Sequence, residues 1–395
     1  MIKDKDMEKR LSLRIAKAKN IMKEKDIEMM LVSKEENKNY LSMFYSTSFY
    51  IVLTQSESYL LTDFRYIEAA RELEPLYTVV KLETGYNIFD FLREKASGVK
   101  SFGVETKSVS TAEFVKLADA VGAGSAEIAG VSYGSGAAEV MGGLHGSGAA
   151  GKETVLVTAD GIIEKCRIVK EDYEIERIKE AASIADAAFE YILGEIRPGV
   201  TEKEIAWLLE KKMRESGASG LSFDTICAAG VHSSMPHAHP TDTPIENGDF
   251  VTMDFGCVYD GYCSDMTRTV AVGSITDEQR KIYNIVLKAQ KETCDMIRPG
   301  ITGRDADAFA RNIITEAGYG EYFGHGLGHG VGLEIHEAPT ANSSGNEIFE
   351  KNMLITIEPG IYLPKKFGVR IEDLSVVSES AIMNLVLSQK ELIIL

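Results

Sequence analysis

The histidines of this chain are concentrated in two short windows. Six of the seven lie either between residues 232 and 239 or between residues 325 and 336. Apolar, strand-like runs follow each window and are interrupted by single carboxylates. A carboxylate buried alone in such a run costs on the order of several kcal/mol, so it needs a metal, another cation or a proton. The acids in question, which together with the nearby imidazoles favour a metal site, are Asp254, Asp265, Glu358 and Glu372.

The first two of these acids are predicted to share one face of a hairpin. Asp260 and Gly261 stand between two strand-like runs, which is the pattern of a two-residue hairpin turn. If Tyr259 pairs with Tyr262, Asp254 and Asp265 become diagonal neighbours on the same face, close enough to share a metal. Asp260 itself fits an ordinary turn residue.

The other two acids carry unequal weight. Glu358 interrupts an apolar run between residues 353 and 362, so the same burial argument applies to it. Glu372 alone would fit a solvent-exposed strand residue, and only the other three acids make it a candidate ligand. Each of the two histidine windows is therefore followed by two candidate acids.

A glycine-rich segment at residues 324–332 contains two histidines, His325 and His329, separated by four positions. Its five glycines disfavour a regular helix, so the segment is not a helical zinc-binding motif. Alternating glycines allow close backbone approach, so one imidazole of this segment can reach a crowded site. His232 and His239 are predicted to have structural roles.

Four carboxylates and one imidazole form an oxygen-rich ligand set. This set is too anionic for one ion and matches two divalent metals about 3.5 to 4 Å apart. Manganese or cobalt suits it, and zinc or iron also fits. Such a pair activates water and polarises a carbonyl, so hydrolysis is the predicted reaction.

Composition narrows the class of protein. At 395 residues and 44% hydrophobic content, the chain is long enough for two domains with full cores. The net charge of −17 argues against a general nucleic-acid binder. The N-terminus mixes charges, and no apolar run reaches bilayer length, which predicts a cytoplasmic protein without membrane association. The five cysteines contain no C-x-x-C pair, so buried free thiols are expected.

Residues 1 to about 120 alternate helical and strand-like patterns, which predicts an α/β domain. Ten of the 30 residues from 122 to 151 are glycine, which indicates an insertion with poor prospects for a packed core. Its G-x-G-x-x-G match at 146–151 and its His145 are treated as coincidental. The predicted domains are 1–160, including the insertion, and 161–395. The predicted strands are Met29–Val32, Tyr50–Thr54, Tyr59–Thr62, Thr78–Leu82 and Ser101–Glu105.

The second domain is predicted to be an internal duplication. A helix with an apolar face begins after Glu171 and ends near the hexapeptide Ile196–Thr201. A nearly identical hexapeptide, Ile297–Thr302, follows a second helix-length stretch. Thr201 and Glu204 form a capping box for the next helix. Each repeat is followed at a similar distance by two of the four acids, so each half donates two ligands.

These residues carry a specific resemblance. The chain resembles the aminopeptidase P and prolidase family, proline-directed members of the "pita-bread" methionine aminopeptidase clan, strongly over residues 170–395. The N-terminal half resembles the creatinase-type domain of the same family. The resemblance implies an α/β N-terminal creatinase-like domain and an α+β C-terminal pita-bread domain with internal pseudo-twofold duplication. The motifs are FVTMDFG at 250–256, YCSDMTR at 262–268, FGHGLGHG at 323–330, TIEPGIY at 356–362 and VRIED at 369–373.

The resemblance also implies roles for particular residues. Metal ligation falls to Asp254, Asp265, His329, Glu358 and Glu372, with Asp265 and Glu372 bridging both ions. His237 and His336 would hydrogen-bond the substrate carbonyl as charge builds up. Glu358 would carry a proton from the nucleophilic water, which attacks as a metal-bridging hydroxide, to the leaving proline nitrogen. Arg370 is expected to pair with the carboxylates. His325 is expected to line the site without binding metal.

One departure bears on the substrate. Dipeptide-cleaving prolidases commonly carry an arginine four residues after the position of His336, and here that position is Thr340. The sequence therefore favours a manganese-dependent aminopeptidase P that removes the residue before proline from peptides, with a homodimer implied by the resemblance. The alternatives are a prolidase, a methionine aminopeptidase, a metal-free creatinase and a non-catalytic pita-bread protein that binds peptides.

Overall fold

A computed structural model describes residues 5–123, 128–129 and 154–395. The chain divides into two compact units, Met1–Arg167 and Ile168–Leu395. Among the described residues, no helix combines the length and the apolar character needed to cross a membrane. Most of the predicted glycine-rich insertion, with His145 and the G-x-G-x-x-G match, lies outside the described residues.

The first unit is built on a seven-stranded sheet, as the alternating sequence pattern predicts. The strand order is β4-β3-β2-β1-β5-β7-β6. Strand β2 pairs antiparallel with β1 and β3, and the other neighbours run parallel. Its helices and strands are α1 (Lys5–Glu24), β1 (Met29–Val32), α2 (Glu35–Ser42), β2 (Phe49–Thr54), β3 (Ser58–Thr62), α3 (Ile67–Ala70), β4 (Thr78–Lys81), α4 (Ile88–Lys95), β5 (Ser101–Val104), α5 (Thr111–Val121), β6 (Ile128–Ala129), β7 (Val155–Thr158) and α6 (Ile162–Arg167).

Helix α6 belongs to the first unit, so this unit ends at Arg167 and not at residue 160. The Tyr40 hydroxyl donates to the Cys166 carbonyl, 3.0 Å away. The Arg167 guanidinium donates to the Asn37 side chain at 2.8 Å. These buried hydrogen bonds attach the helix to α2, and contacts between residues so far apart in the chain leave no signal in the sequence.

Two similar helix pairs frame the second unit and reproduce the predicted repeat. Helices α7 (Asp172–Ile192) and α8 (Glu202–Glu215) form one pair, and α9 (Asp277–Met296) and α10 (Gly303–Glu316) form the other. A capping box begins the second helix of each pair, made by Thr201 with Glu204 and by Thr302 with Asp305. The predicted box at Thr201 is thus confirmed.

The connections within the two pairs also match. Gly199 and Gly300 both have φ of +94°. The amide of each donates at 2.9 Å to a carbonyl further along its own half, that of Ile245 or Phe349. Equivalent backbone conformation in equivalent hexapeptides supports the predicted duplication.

Short antiparallel strands fill the space between the helix pairs and carry the residues of interest. Some of their buried side chains pack with α7, whose buried face includes Ile178, Ala185 and Phe189, and others pack in separate clusters with α9 and α10. The strands are β8 (Gly220–Leu221), β9 (Ile226–Ala229), β10 (Phe250–Phe255), β11 (Cys257–Tyr259), β12 (Tyr262–Cys263), β13 (Met266–Ala271), β14 (Gly328–Gly330), β15 (Glu337–Ala341), β16 (Leu354–Ile357), β17 (Gly360–Leu363), β18 (Phe367–Arg370), β19 (Asp373–Val377) and β20 (Ile382–Asn384).

Candidate metal centre

The two aspartates come from the predicted hairpin of the first half. Tyr259 pairs with Tyr262, which confirms the predicted register. Asp260 and Gly261 have φ of +48° and +86°, as a two-residue turn with two left-handed positions requires. Asp254 lies opposite Thr267 in the β10–β13 pair. Asp265 lies two residues before Thr267, so the two aspartates are diagonal neighbours on one face.

The two glutamates come from the corresponding hairpin of the second half. Glu358 directly follows β16 and Glu372 directly precedes β19. Ile357 pairs with Asp373, and the same register continues where Gly360 pairs with Arg370. This register places Glu358 directly opposite Glu372.

A short contact joins the two hairpins. The Glu372 amide donates to the Thr267 carbonyl at 3.1 Å. The Thr267 hydroxyl donates at 2.6 Å to Oε2 of Glu372. One acid of the second half is therefore held by the strand that follows Asp265.

His329 enters the site because glycines surround it. It lies in β14, and a Cβ at Gly328 would stand 2.0 Å from the Thr356 carbonyl oxygen, so only glycine permits this approach. Nδ1 of His329 lies 3.1 Å from the Gly330 carbonyl oxygen. A carbonyl only accepts, so Nδ1 carries the hydrogen and Nε2 keeps its lone pair. Nε2 lies 3.5 Å from both Asp265 Oδ2 and Glu358 Oε1.

One cavity of about 500 Å³ brings all the sequence-predicted site residues together. His237 and His336, the predicted substrate-side histidines, are both exposed at its wall. The rings of His329 and His336 pack edge to face, with centroids 4.4 Å apart. The predicted residues among its lining are His237, Asp254, Asp265, His325, His329, His336, Thr340, Glu358, Arg370 and Glu372.

Burial and neighbouring acids raise the pKa values of three of the four carboxyl groups. Burial raises the pKa of Asp265 well above its ordinary value, and the charge of Glu372 raises it further. Burial and Glu372 also raise the pKa of Glu358. Burial, with Asp254 next, raises the pKa of Glu372 to about 8. Arg370 opposes each of these shifts, but one guanidinium does not balance four carboxylates.

The residues present fit a divalent metal site. Single ligand atoms from Asp265, His329 and Glu372 lie within 4.8 Å of one another. Asp254 Oδ1 is buried and has no hydrogen-bond partner among the described residues. Burial lowers the pKa of His329 to about 4, so its imidazole is neutral near neutral pH, as a metal ligand must be. Several acceptor atoms close to one another, including an Asp254 oxygen without a hydrogen-bond partner among the described residues, form the arrangement that a cation satisfies.

Arg370 donates hydrogen bonds to Asp254 and to Thr267. Its Nη2 donates to Asp254 Oδ2 at 2.6 Å, and its Nε donates to the Thr267 hydroxyl at 3.0 Å. The pairing predicted for Arg370 is present in this form. Thr267 was missed by sequence reasoning, although the predicted hairpin register already placed it opposite Asp254 and two residues after Asp265.

Tyr362 was also missed, and it explains why His325 has no nitrogen free for a metal. Arg370 Nη1 donates to the Tyr362 hydroxyl at 2.7 Å. That hydroxyl lies 2.9 Å from His325 Nε2, while Nδ1 of His325 faces the Gly326 carbonyl oxygen at 2.7 Å. Burial lowers the pKa of His325 to about 4, so a neutral ring donates through Nδ1 and accepts through Nε2.

The two remaining histidines differ. His232 contacts the buried carboxylate of Glu202, with Nδ1 3.1 Å from Oε1, which matches its predicted structural role. His239 instead lines the cavity, a position that sequence reasoning did not predict.

Comparison with known proteins identifies the family of the chain. The model of "Metallopeptidase family M24" matches residues 176–379, slightly more than half of the chain. The chain belongs to metallopeptidase family M24. The model of "Creatinase/Prolidase N-terminal domain" matches residues 14–133 of this M24 metallopeptidase. The family and the two-part fold class predicted from the sequence are thereby confirmed.

Similar proteins cover nearly the whole M24 chain. An "uncharacterized peptidase YqhT" from Bacillus subtilis is 38% identical over 385 residues, which are 97% of this chain and 100% of that protein. A solved "Xaa-Pro dipeptidase" from Bacillus anthracis is 39% identical with a TM-score of 0.87, covering 98% of this chain and 100% of the other. A solved "X-Pro aminopeptidase" from Thermotoga maritima is 34% identical with a TM-score of 0.80, covering 94% and 98%.

Proposed function

We propose that this M24 metallopeptidase is a dinuclear metal-dependent exopeptidase that hydrolyses the Xaa-Pro bond at the N-termini of peptides. The observation that carries the proposal is the meeting of four acids and one neutral histidine, drawn from both halves of the duplicated unit, in one cavity. The names of the Bacillus anthracis and Thermotoga maritima relatives support a substrate with proline in second position.

The residues that would hold the two metal ions in this proposal are Asp254, Asp265, His329, Glu358 and Glu372. When bound, two divalent ions supply an activated water molecule and polarise the scissile carbonyl. Manganese is the metal we propose, and cobalt, zinc or iron would also suit the ligands.

The remaining steps fall to side chains of the chain itself. Glu358 takes a proton from the attacking water and delivers it to the proline nitrogen as the C–N bond breaks. His237 and His336 donate hydrogen bonds to the carbonyl oxygen, where negative charge develops. Arg370 holds Asp254 in place through its 2.6 Å hydrogen bond. Apolar contact for the proline ring is available from Phe223, Ile226 and Ile335 of the cavity wall.

Thr340 favours an aminopeptidase over a dipeptidase. A dipeptide presents a free carboxylate beside its proline, and a nearby cation would bind it. Among the described residues that line the cavity, Arg370 is the only lysine or arginine, and it already donates to Asp254 and Tyr362. Thr340 offers an uncharged hydroxyl. Longer peptides, whose proline carbonyl is part of an amide, need no such cation.

Prolidase activity is the second candidate, because a relative named Xaa-Pro dipeptidase is 39% identical over nearly the whole chain. The deciding experiment compares hydrolysis of an Xaa-Pro dipeptide and an Xaa-Pro-Yaa tripeptide after chelation and manganese add-back, with a proline-free peptide as control. Manganese-dependent cleavage of the tripeptide alone would support the aminopeptidase. Cleavage of the dipeptide would support the prolidase, and no cleavage of either would contradict both.

A substitution at Thr340 makes this comparison sharper. Thr340→Arg should raise kcat/KM for the dipeptide relative to the tripeptide by about 10-fold or more, because a charge-assisted hydrogen bond contributes about 1.5 to 3 kcal/mol. Thr340→Val, which adds no charge, is the matched control. An unchanged ratio in Thr340→Arg would remove Thr340 from the account of specificity.

A homodimer and a cytoplasmic location complete the proposal. The homodimer rests on the family resemblance, and the location rests on the five free cysteines, which suit a reducing compartment. Size-exclusion chromatography with light scattering tests the first, and fractionation of the source cells tests the second. A monomer, or recovery outside the cytoplasm, would contradict these parts without affecting the chemistry.

A further inference from the structure

We propose that Glu202 is a positioning residue for His237. The loop of residues 229–241 carries His237 into the cavity, and Glu202 holds both ends of this loop. The inference rests on the proposed function, because it assigns the effect of Glu202 to a histidine that contacts substrate.

The Glu202 carboxylate lies at the start of α8, and its side chain is fully buried. Oε1 accepts from the Ala229 amide at 2.8 Å, where the loop begins. Oε2 accepts from the Thr241 amide at 2.9 Å and from the Thr241 hydroxyl at 2.7 Å, where the loop ends. His232 donates from within the loop, with Nδ1 3.1 Å from Oε1. One carboxylate therefore fixes the distance between the two ends of the loop.

The middle of the loop is held from the opposite side. The Gly368 amide donates to the Ser233 hydroxyl at 2.9 Å, and Arg370 Nη1 donates to the Pro236 carbonyl at 3.2 Å. His237 follows Pro236 directly. The loop is thus fixed between Glu202 of the first half and β18 of the second half, and His237 is displaced if either support is lost.

The chemical setting of Glu202 indicates that it acts on the loop. Among the described residues no lysine or arginine pairs with it, and its partners are two backbone amides, one hydroxyl and one imidazole, all in residues 229–241. An amide side chain at this position would place an NH₂ group against donors. The loop would then shift, and a displacement of about 1 Å at a catalytic group costs on the order of 100-fold in rate.

The second half contains a comparable arrangement at a different position of its helix, which provides an internal comparison. Asp307 of α10 is buried and accepts from the Leu327 amide at 3.1 Å. It also pairs with Arg311, whose guanidinium donates to the carbonyls of Phe323 and His325 at 2.7 Å. This acid holds the segment that leads to His329, so its loss should affect metal binding more than the substrate-side histidine.

The test is a double-mutant cycle in the full-length, manganese-loaded protein. Glu202→Gln should lower kcat by about 10- to 100-fold with KM and manganese affinity within about twofold of wild type. In the His237→Ala background the same change should lower kcat by less than about twofold, because the group that it positions is already absent. Equal losses in both backgrounds would overturn the proposal.

Control variants separate positioning from a general loss of structure. Glu215→Gln alters an exposed acid of the same helix and should leave kcat unchanged. Asp307→Asn should weaken manganese binding, measured by calorimetry, which Glu202→Gln should not do. If Glu202→Gln does not fold, Thr241→Val removes a single hydroxyl donor and should show the same dependence on His237 with a smaller loss.

Hydrogen–deuterium exchange gives a readout that needs no substrate. In Glu202→Gln, exchange should rise in residues 229–241 and stay unchanged in β10. Absence of that rise would overturn the proposal, even if the wild-type protein cleaves Xaa-Pro peptides. Conversely, a wild-type protein that cleaves no such peptide would contradict the proposed function, while faster exchange in the loop would still support its attachment to Glu202.

Discussion

The two halves of the second unit share a scaffold but present their acids differently. Both halves have a long helix, a glycine with φ of +94° and a capped second helix. In the first half, short aspartates are diagonal neighbours across a hairpin, since Asp254 faces Thr267 and not Asp265. In the second half, Glu358 and Glu372 are directly opposite each other.

The difference shows which features a duplication has to keep. The helix pair and its connection set the position of each hairpin, and they are nearly the same in both halves. Each hairpin sets the register of its own two acids. The acids also differ in side-chain length, with aspartates in the diagonal arrangement and glutamates in the directly opposed one. The two aspartates of the first half and the two glutamates of the second half can then meet at one site. A fully symmetric repeat would instead present two identical pairs of acids.

The histidines differ between the halves in a similar way. His329 of the second half directs a free Nε2 lone pair at Asp265 and Glu358. His237 of the first half lies on an exposed loop at the cavity wall. In the proposed function the second half supplies both a metal-binding histidine, His329, and a substrate-side histidine, His336, whereas His237 of the first half acts on the substrate side.

Removing one central acid from either half should have the largest effect. Asp265→Asn and Glu372→Gln should each reduce hydrolysis by more than about 100-fold, beyond the loss typical of residues that only support a ligand. Metal content should fall in parallel, while circular dichroism should show a retained fold. Retained activity in either variant would contradict the dinuclear assignment.

The two histidines should separate metal binding from catalysis. His329→Ala should lower manganese affinity, measured by calorimetry. His237→Ala should lower kcat by about 100- to 1,000-fold, the range for removing one donor to a developing oxyanion, with metal content unchanged. Loss of metal in His237→Ala would contradict the different roles proposed for these two histidines.

Removing the hydrogen bonds by which Arg370 and Thr267 connect the two halves should have intermediate effects. Arg370→Lys removes the hydrogen bonds that reach Asp254 and Thr267 in the first half, and Thr267→Val removes the hydroxyl that donates to Glu372 in the second. Each should weaken manganese binding by about 10- to 100-fold, as outer residues of metal sites do. Thr252→Val, which alters a buried threonine of β10, serves as control. Unchanged affinity in both variants would show that the ligands hold their positions without these hydrogen bonds.

The matched glycines should have the smallest effect. Gly199→Ala and Gly300→Ala each force a Cβ into a positive-φ position and should destabilise the fold by about 1 to 2 kcal/mol. Denaturant unfolding measures this, and the duplication predicts similar values for both variants. A large difference between them would break the equivalence of the two connections.

Much of this site could be predicted from the sequence, because its parts depend on local signals. The turn at Asp260 and Gly261 fixed the hairpin register, and the repeated hexapeptide indicated the duplication. Side-chain contacts between distant segments carry no such signal. Glu202 is an ordinary acid at the start of a helix until the fold brings residues 229 and 241 to it, and Tyr362 gains a role only when Arg370 and His325 approach from other strands.

The central claim is that acids from both halves and His329 hold two divalent ions in this cavity. Calorimetric titration of manganese into the chelated full-length protein tests it most directly, with Asp265→Asn titrated beside it. The account predicts two manganese ions for each wild-type chain and a loss of binding in Asp265→Asn. Failure of the wild-type chain to bind manganese or the other divalent metals, or unchanged binding in Asp265→Asn, would contradict it.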